Sequence, residues 1–121
     1  MSFKTIDHCD IERLTNKSYT SLSGYIDVSY DNLCRVFGKP TVIHDPHGKT
    51  DVEWTLLIDD EVVATIYNYK DGFNYLGSSG WQKEDITDWH IGGQGKGEVA
   101  LVLREYEEGM KQWRSDRCET L

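Results

Sequence analysis

Asp88 and His90 lie two residues apart in the stretch ITDWHI. On a strand that spacing puts both side chains on one side, so an Asp–His pair is geometrically open. No Ser or Cys can be set against them from the sequence to complete a nucleophilic triad. The pair therefore reads as a structural or ligand hydrogen bond, with a small hydrolase using Asp88 and His90 as one alternative. His44, Asp45 and His47 carry metal-ligand atoms, but their spacing is short, Pro46 interrupts them and no matched second cluster follows. No metal site is expected there, and Asp59, Asp60 and Glu61 read as a solvated hairpin tip. The cysteines Cys9, Cys34 and Cys118 are odd in number and far apart, which argues against a disulfide framework and against metal ligation.

The glycine burst GGQGKG, residues 92–97, sits between a short alternating segment and one with helical spacing. That context suits a phosphate cradle, with Lys96 assisting at the first helical N–H groups. The spacing is neither GxGxxG nor GxxxxGK[ST], and no βαβ unit surrounds it. A sharp strand-to-helix connection is the plainer reading.

The residues best suited to holding a ligand form two groups. Asn68, Phe73, Asn74 and Trp81, with Tyr67, Tyr69 and Tyr75, supply ring faces for a purine and amides for its polar edge. Arg104, Lys111, Arg114 and Arg117 form a basic run near the C-terminus, and the spacing of three between Lys111, Arg114 and Arg117 lets some of them face one phosphate or a neighbouring subunit. Plainer roles are a sheet core with its loop lid for the first group, and helix-dipole compensation for the second. No catalytic machinery is apparent, so a ligand held here is sequestered rather than converted.

Several elements must position these groups. SLSGYIDVS (21–29) reads as a strand with Tyr25 and Asp27 on one face and Ile26 and Val28 on the other. SYDNLCRVFGKP (29–40) carries a helix: Ser29 caps it, Asp31 suits the first turn, Leu33, Val36 and Phe37 make a stripe, and Gly38 and Pro40 stop it. DVEWTLLI (51–58) and VVATIYNY (62–69) alternate and make the strongest hairpin candidate, Val52, Trp54, Leu56 and Ile58 sharing a face. Residues 70–85 have no sustained period and read as a long loop, and ITDWHI (86–91) as a further strand. From Glu98 the spacing becomes helical, with Val99, Val102, Leu103, Tyr106, Met110 and Trp113 as the apolar stripe, Leu101 widening it and Glu98 pointing elsewhere. Gly109 marks a weak point in that helix or a place where another element packs closely. Residues 1–20 are weakly patterned.

These elements predict a single domain over residues 1–121 of α+β class: an antiparallel sheet of about four strands with two helices packed on one face. Aromatics on the second face would leave an exposed patch, which a homodimer or higher homo-oligomer would cover. Lys and Arg number 13 against 21 Asp and Glu, a formal net charge of −8. So acidic a surface offers no general route to DNA, RNA or an anionic membrane. It does suit an inhibitor or adaptor that presents its acidic surface to another protein. The start, MSFKTIDHCD, has no signal-peptide run and no stretch reaches membrane-spanning length, so a soluble, cytoplasmic protein is expected.

Taken together, LSGYIDVSYDNLCRVFGKP, DVEWTLLIDDEVVATIYNYKDG and DWHIGG resemble small phage proteins related to the Thoeris anti-defence sponge family, over roughly residues 22–103. FGKP, VEWTLLI, VATIYNYK and DWHIGG, in that order, carry the resemblance. It implies a compact α+β protein, dimeric or larger, that acts in the host cytoplasm. Such a protein would capture a cyclic ADP-ribose isomer made by a bacterial TIR-domain enzyme, without cleaving it and without a cofactor. Related members hold cyclic oligonucleotides. The resemblance also implies interfacial sites built from an aromatic residue, an asparagine and C-terminal-helix arginines. Here those would be Phe73 or Trp81, Asn74 or Asn68, and Arg104 or Arg114, although the basic residues do not form a clean Arg-xxx-Arg pair.

Overall fold

The computed structural model describes residues 3–7, 20–43, 50–59, 62–95 and 97–119. The strands are β1 (Phe3–Thr5), β2 (Ser21–Asp27), β3 (Val42–Ile43), β4 (Val52–Ile58), β5 (Val62–Tyr67) and β6 (Asp88–Gly93). The helices are α1 (Tyr30–Phe37), the single turn α2 (Phe73–Leu76) and α3 (Glu98–Glu119). The chain is α+β: an antiparallel sheet in the order β1–β4–β5–β6–β2, with the two-residue β3 also beside β4. The sheet thus exceeds the expected four strands, because β1 and β3 are too short to show a period in sequence.

The predicted hairpin forms, Trp54 pairing with Ile66 and Leu56 with Ala64. Val52, Trp54, Leu56, Ile58, Ala64, Ile66, Trp89, Ile91 and Ile26 make one buried face, which α1 covers with Leu33 and Phe37 and α3 with Val102. Trp54 and Trp89 meet edge to face, centroids 5.4 Å apart, with Tyr30 tilted over both. Their indole N–H groups donate to the carbonyls of Gly38 and Ile86, so the largest core side chains leave no donor unpaired.

Helix α1 starts where its sequence indicates. Ser29 accepts the Asn32 N–H at 3.1 Å, and Gly38 ends the helix by donating to the Cys34 carbonyl. Helix α3 lies against α1 and crosses β5, β6 and β2. Gly109 answers its question: a Cβ there would come within 2.7 Å of Val36 Cγ1, so its bare backbone is where α1 seats. Leu103, expected in the buried stripe, is exposed, while Leu101 packs against the core. Glu98, expected to face away, is buried.

Two further expectations are refined. The 70–85 segment is not a plain loop but a series of turns: α2, then 3₁₀ turns at Gly77–Ser79 and Lys83–Asp85. Strand β6 runs on through Gly92 and Gly93, which pair with β2. A side chain at Gly92 would collide with the hydroxyls of Thr20 and Thr65, which meet there at 3.1 Å. The expectations for residues 44–49, including His44, Asp45 and His47, and for Asp60 and Glu61 lie outside the described residues.

Candidate functional site

Helices α1 and α3 leave a groove of about 380 Å³ between them, lined by Asn32, Tyr106, Glu107, Met110, Lys111 and Arg114. Its volume falls within the range of small-molecule sites. Helical geometry assembles it: Tyr106, Met110 and Arg114 follow one another at intervals of four, with Glu107 and Lys111 alongside. Met110 is buried and Tyr106 half-buried, giving an apolar floor; Lys111 and Arg114 are exposed at the rim. Asn32 contributes from α1. Its carbonyl oxygen accepts from Arg35, whose guanidinium stands 4.5 Å from the Trp113 ring centre. Those contacts tie α1 to α3 beside the groove and leave the Asn32 amide N–H groups as the donors it can offer.

Of the predicted ligand residues, Lys111 and Arg114 meet in this groove. Arg104 is exposed on α3 but does not line it. Phe73 and Asn74 lie on α2, away from the groove's lining. Trp81 is 60% exposed, and its backbone N–H donates to the Asp71 carbonyl.

Asn68 is placed differently from the expectation: it is fully buried and its amide is fully engaged within the chain. Its oxygen accepts the N–H groups of Asp51 and Val52 at 2.8 and 3.0 Å, and its NH2 donates to the carboxylates of Asp51 and Asp71 at 3.2 and 3.0 Å. It fastens the base of the 70–85 segment to the start of β4 and has no donor left for a ligand. Burial raises the Asp71 carboxyl above its ordinary range; the Asn68 hydrogen bond opposes that and nearby Asp88 adds to it.

The glycine-rich turn is a hinge. Gly95 and Gly97 have φ of 80° and 79°, the left-handed conformation that glycine adopts without strain. Within the turn Glu98 accepts the Gln94 N–H, so the acceptor at the start of α3 is the chain's own carboxyl group. A phosphate placed there would compete with the Glu98 carboxyl group for the Gln94 N–H.

The second face of the sheet carries another cluster. Pairing aligns Tyr25, His90, Tyr67 and Glu53 in one row across β2, β6, β5 and β4. The His90 ring lies 5.0, 5.5 and 5.6 Å from the rings of Tyr25, Tyr67 and Tyr69. Asp88 precedes His90 on the same side, as its spacing required, and is exposed. Burial, then the charge of Glu53, raises the Tyr67 hydroxyl pKa. Burial likewise raises the free thiol of Cys34 on the other face, which disfavours the thiolate a nucleophile needs.

Sequence reasoning missed Asn32 and the part Tyr106 plays. Tyr106 was legible as a stripe residue, and its spacing of four and eight from Met110 and Arg114 was the available signal. Nothing in the sequence pointed Asn32 at α3. Among the described residues no group of three His, Cys, Asp or Glu side chains is placed to hold a metal ion, and no helix is long and apolar enough to cross a membrane. The chain matches no known protein-family model, and a search against curated proteins returned no relative.

Proposed function

We propose that this protein sequesters a small cyclic nucleotide signal without cleaving it, the signal being a cyclic ADP-ribose isomer and the setting a phage protein acting against Thoeris defence in the host cytoplasm. The observation that carries this reading is the α1–α3 groove, which joins a ring, an amide and two cations in one cavity. Tyr106 and Met110 give a base an apolar seat, Asn32 offers donors to its polar edge, and Lys111 and Arg114 neutralise a pyrophosphate. Burying a doubly charged group requires such paired donors, and no transition state need be stabilised.

The groove is open on one side. A second copy laid over it in a homodimer, or in a larger homo-oligomer, closes it and brings a neighbouring 70–85 segment, with Trp81, against the ligand. A cyclic oligonucleotide offers the same rings and phosphates and is the second candidate ligand. The specificity for a cyclic ADP-ribose isomer and the phage setting rest on the sequence resemblance alone.

Purified protein incubated with cyclic ADP-ribose isomers, freed of unbound ligand and then denatured, is expected to release intact nucleotide. Release of an altered product would instead favour hydrolysis by Asp88 and His90. Failure to retain any nucleotide at saturating protein would overturn sequestration and favour the protein-binding adaptor.

A further inference from the structure

The tyrosine row on the second face of the sheet is not used by the groove, and its composition selects a different kind of partner. Tyr25 is 57% and Tyr69 40% exposed, and both pack on His90. Exposed aromatic rings at a packed centre are the anchors typical of protein interfaces. Around them the charge is mainly negative: Asp27 and Asp88 face each other directly across β2 and β6, both exposed, and Glu53 ends the row. Like charges opposed across a strand pair are unfavourable until a cation joins them.

From this we infer that the face binds a partner protein through an arginine-bearing segment, with guanidinium planes laid on Tyr25 and Tyr69 and charge-paired to Asp27 and Asp88. The surface already accepts one cation of its own: Lys70 Nζ stands 5.3 Å from the Tyr69 ring centre and 5.4 Å from that of Tyr75. Arginine suits the site better than lysine because its flat, weakly hydrated head stacks on a ring while still donating to carboxylates. Two copies of this chain meeting face to face would set Asp27, Asp88 and Glu53 against their own images, so a second copy is the less favourable occupant.

The inference is independent of nucleotide capture and is tested without a nucleotide. The full chain is titrated with an oligo-arginine peptide and with its oligo-lysine counterpart at about physiological ionic strength, where long-range attraction to an acidic protein is largely screened. The arginine peptide is expected to bind more tightly. Tyr25→Ala and Asp88→Asn should each weaken it about threefold or more. Glu108→Gln, an equal charge change on exposed α3, should leave it unaltered. Unchanged thermal melting shows that the variants are folded. Equal effects of Asp88→Asn and Glu108→Gln, indifference to Tyr25→Ala or equal binding of the two peptides would each overturn the inference. So would loss of self-association in Tyr25→Ala, which would make a second copy the occupant.

Discussion

The carboxylate of Glu98 accepts the backbone N–H of Gln94, so the first residue of α3 closes the glycine-rich turn that leads into it. Glu98 is 2% exposed, and the missing side chain at Gly93 leaves the room its carboxylate occupies. Glu98→Ala removes the side-chain acceptor of the Gln94 N–H and opens a void. It is expected to lower stability by about 1–3 kcal/mol in chemical denaturation. Glu98→Gln keeps an acceptor and should recover most of the loss. Nucleotide uptake per folded molecule should be the same in all three proteins, because the turn is not where the ligand sits.

Gly109 and Val36 set the spacing between α3 and α1. Alanine would favour the helix by about 1 kcal/mol in an exposed interior position. Here its methyl group would sit 2.7 Å from Val36 Cγ1, and overpacking of that kind costs about 1–3 kcal/mol. Gly109→Ala is therefore expected to destabilise despite its higher propensity. Combining it with Val36→Ala should cost less than the two single changes summed, a coupling that a double-mutant cycle in urea measures directly.

Asp71 makes stability depend on pH in an unusual direction. Burial raises its folded pKa above the usual 3.8, so the folded state binds the proton more tightly than the unfolded chain does. The resulting stabilisation is complete below the unfolded value and is lost as pH rises through the folded one. Asp71→Asn keeps an oxygen for the Asn68 amide and removes the charge. It should melt about 1–3 °C above the unaltered protein at neutral pH. That gap should close as the pH falls towards 3.8. A gap that widens in acid would show that Asp71 is stabilised as the carboxylate.

How far the sequence revealed these features depended on the range of the interaction. Alternation in VEWTLLI and VATIY fixed the faces of β4 and β5, and Ser29 with Gly38 bounded α1, because each signal lies within one element. Leu103 was misplaced because several apolar residues of α3 compete for one stripe and packing on β5, β6 and β2 decides among them. Asn68 read as a ligand amide since its four hydrogen bonds go to Asp51, Val52 and Asp71, three of them to residues 51 and 52 far away in sequence. Lys111 and Arg114 were legible as neighbours through helical spacing, whereas Asn32 joins them only through the docking of α1 on α3.

Titration of a cyclic ADP-ribose isomer into the unaltered protein and into a Lys111→Glu/Arg114→Glu double variant tests the groove most directly. Both side chains are exposed, so the variant should fold and melt normally. The unaltered protein should bind tightly, and reversing both charges should weaken binding by about a hundredfold or more. Equal affinity in the two proteins would show that the α1–α3 groove does not hold the signal.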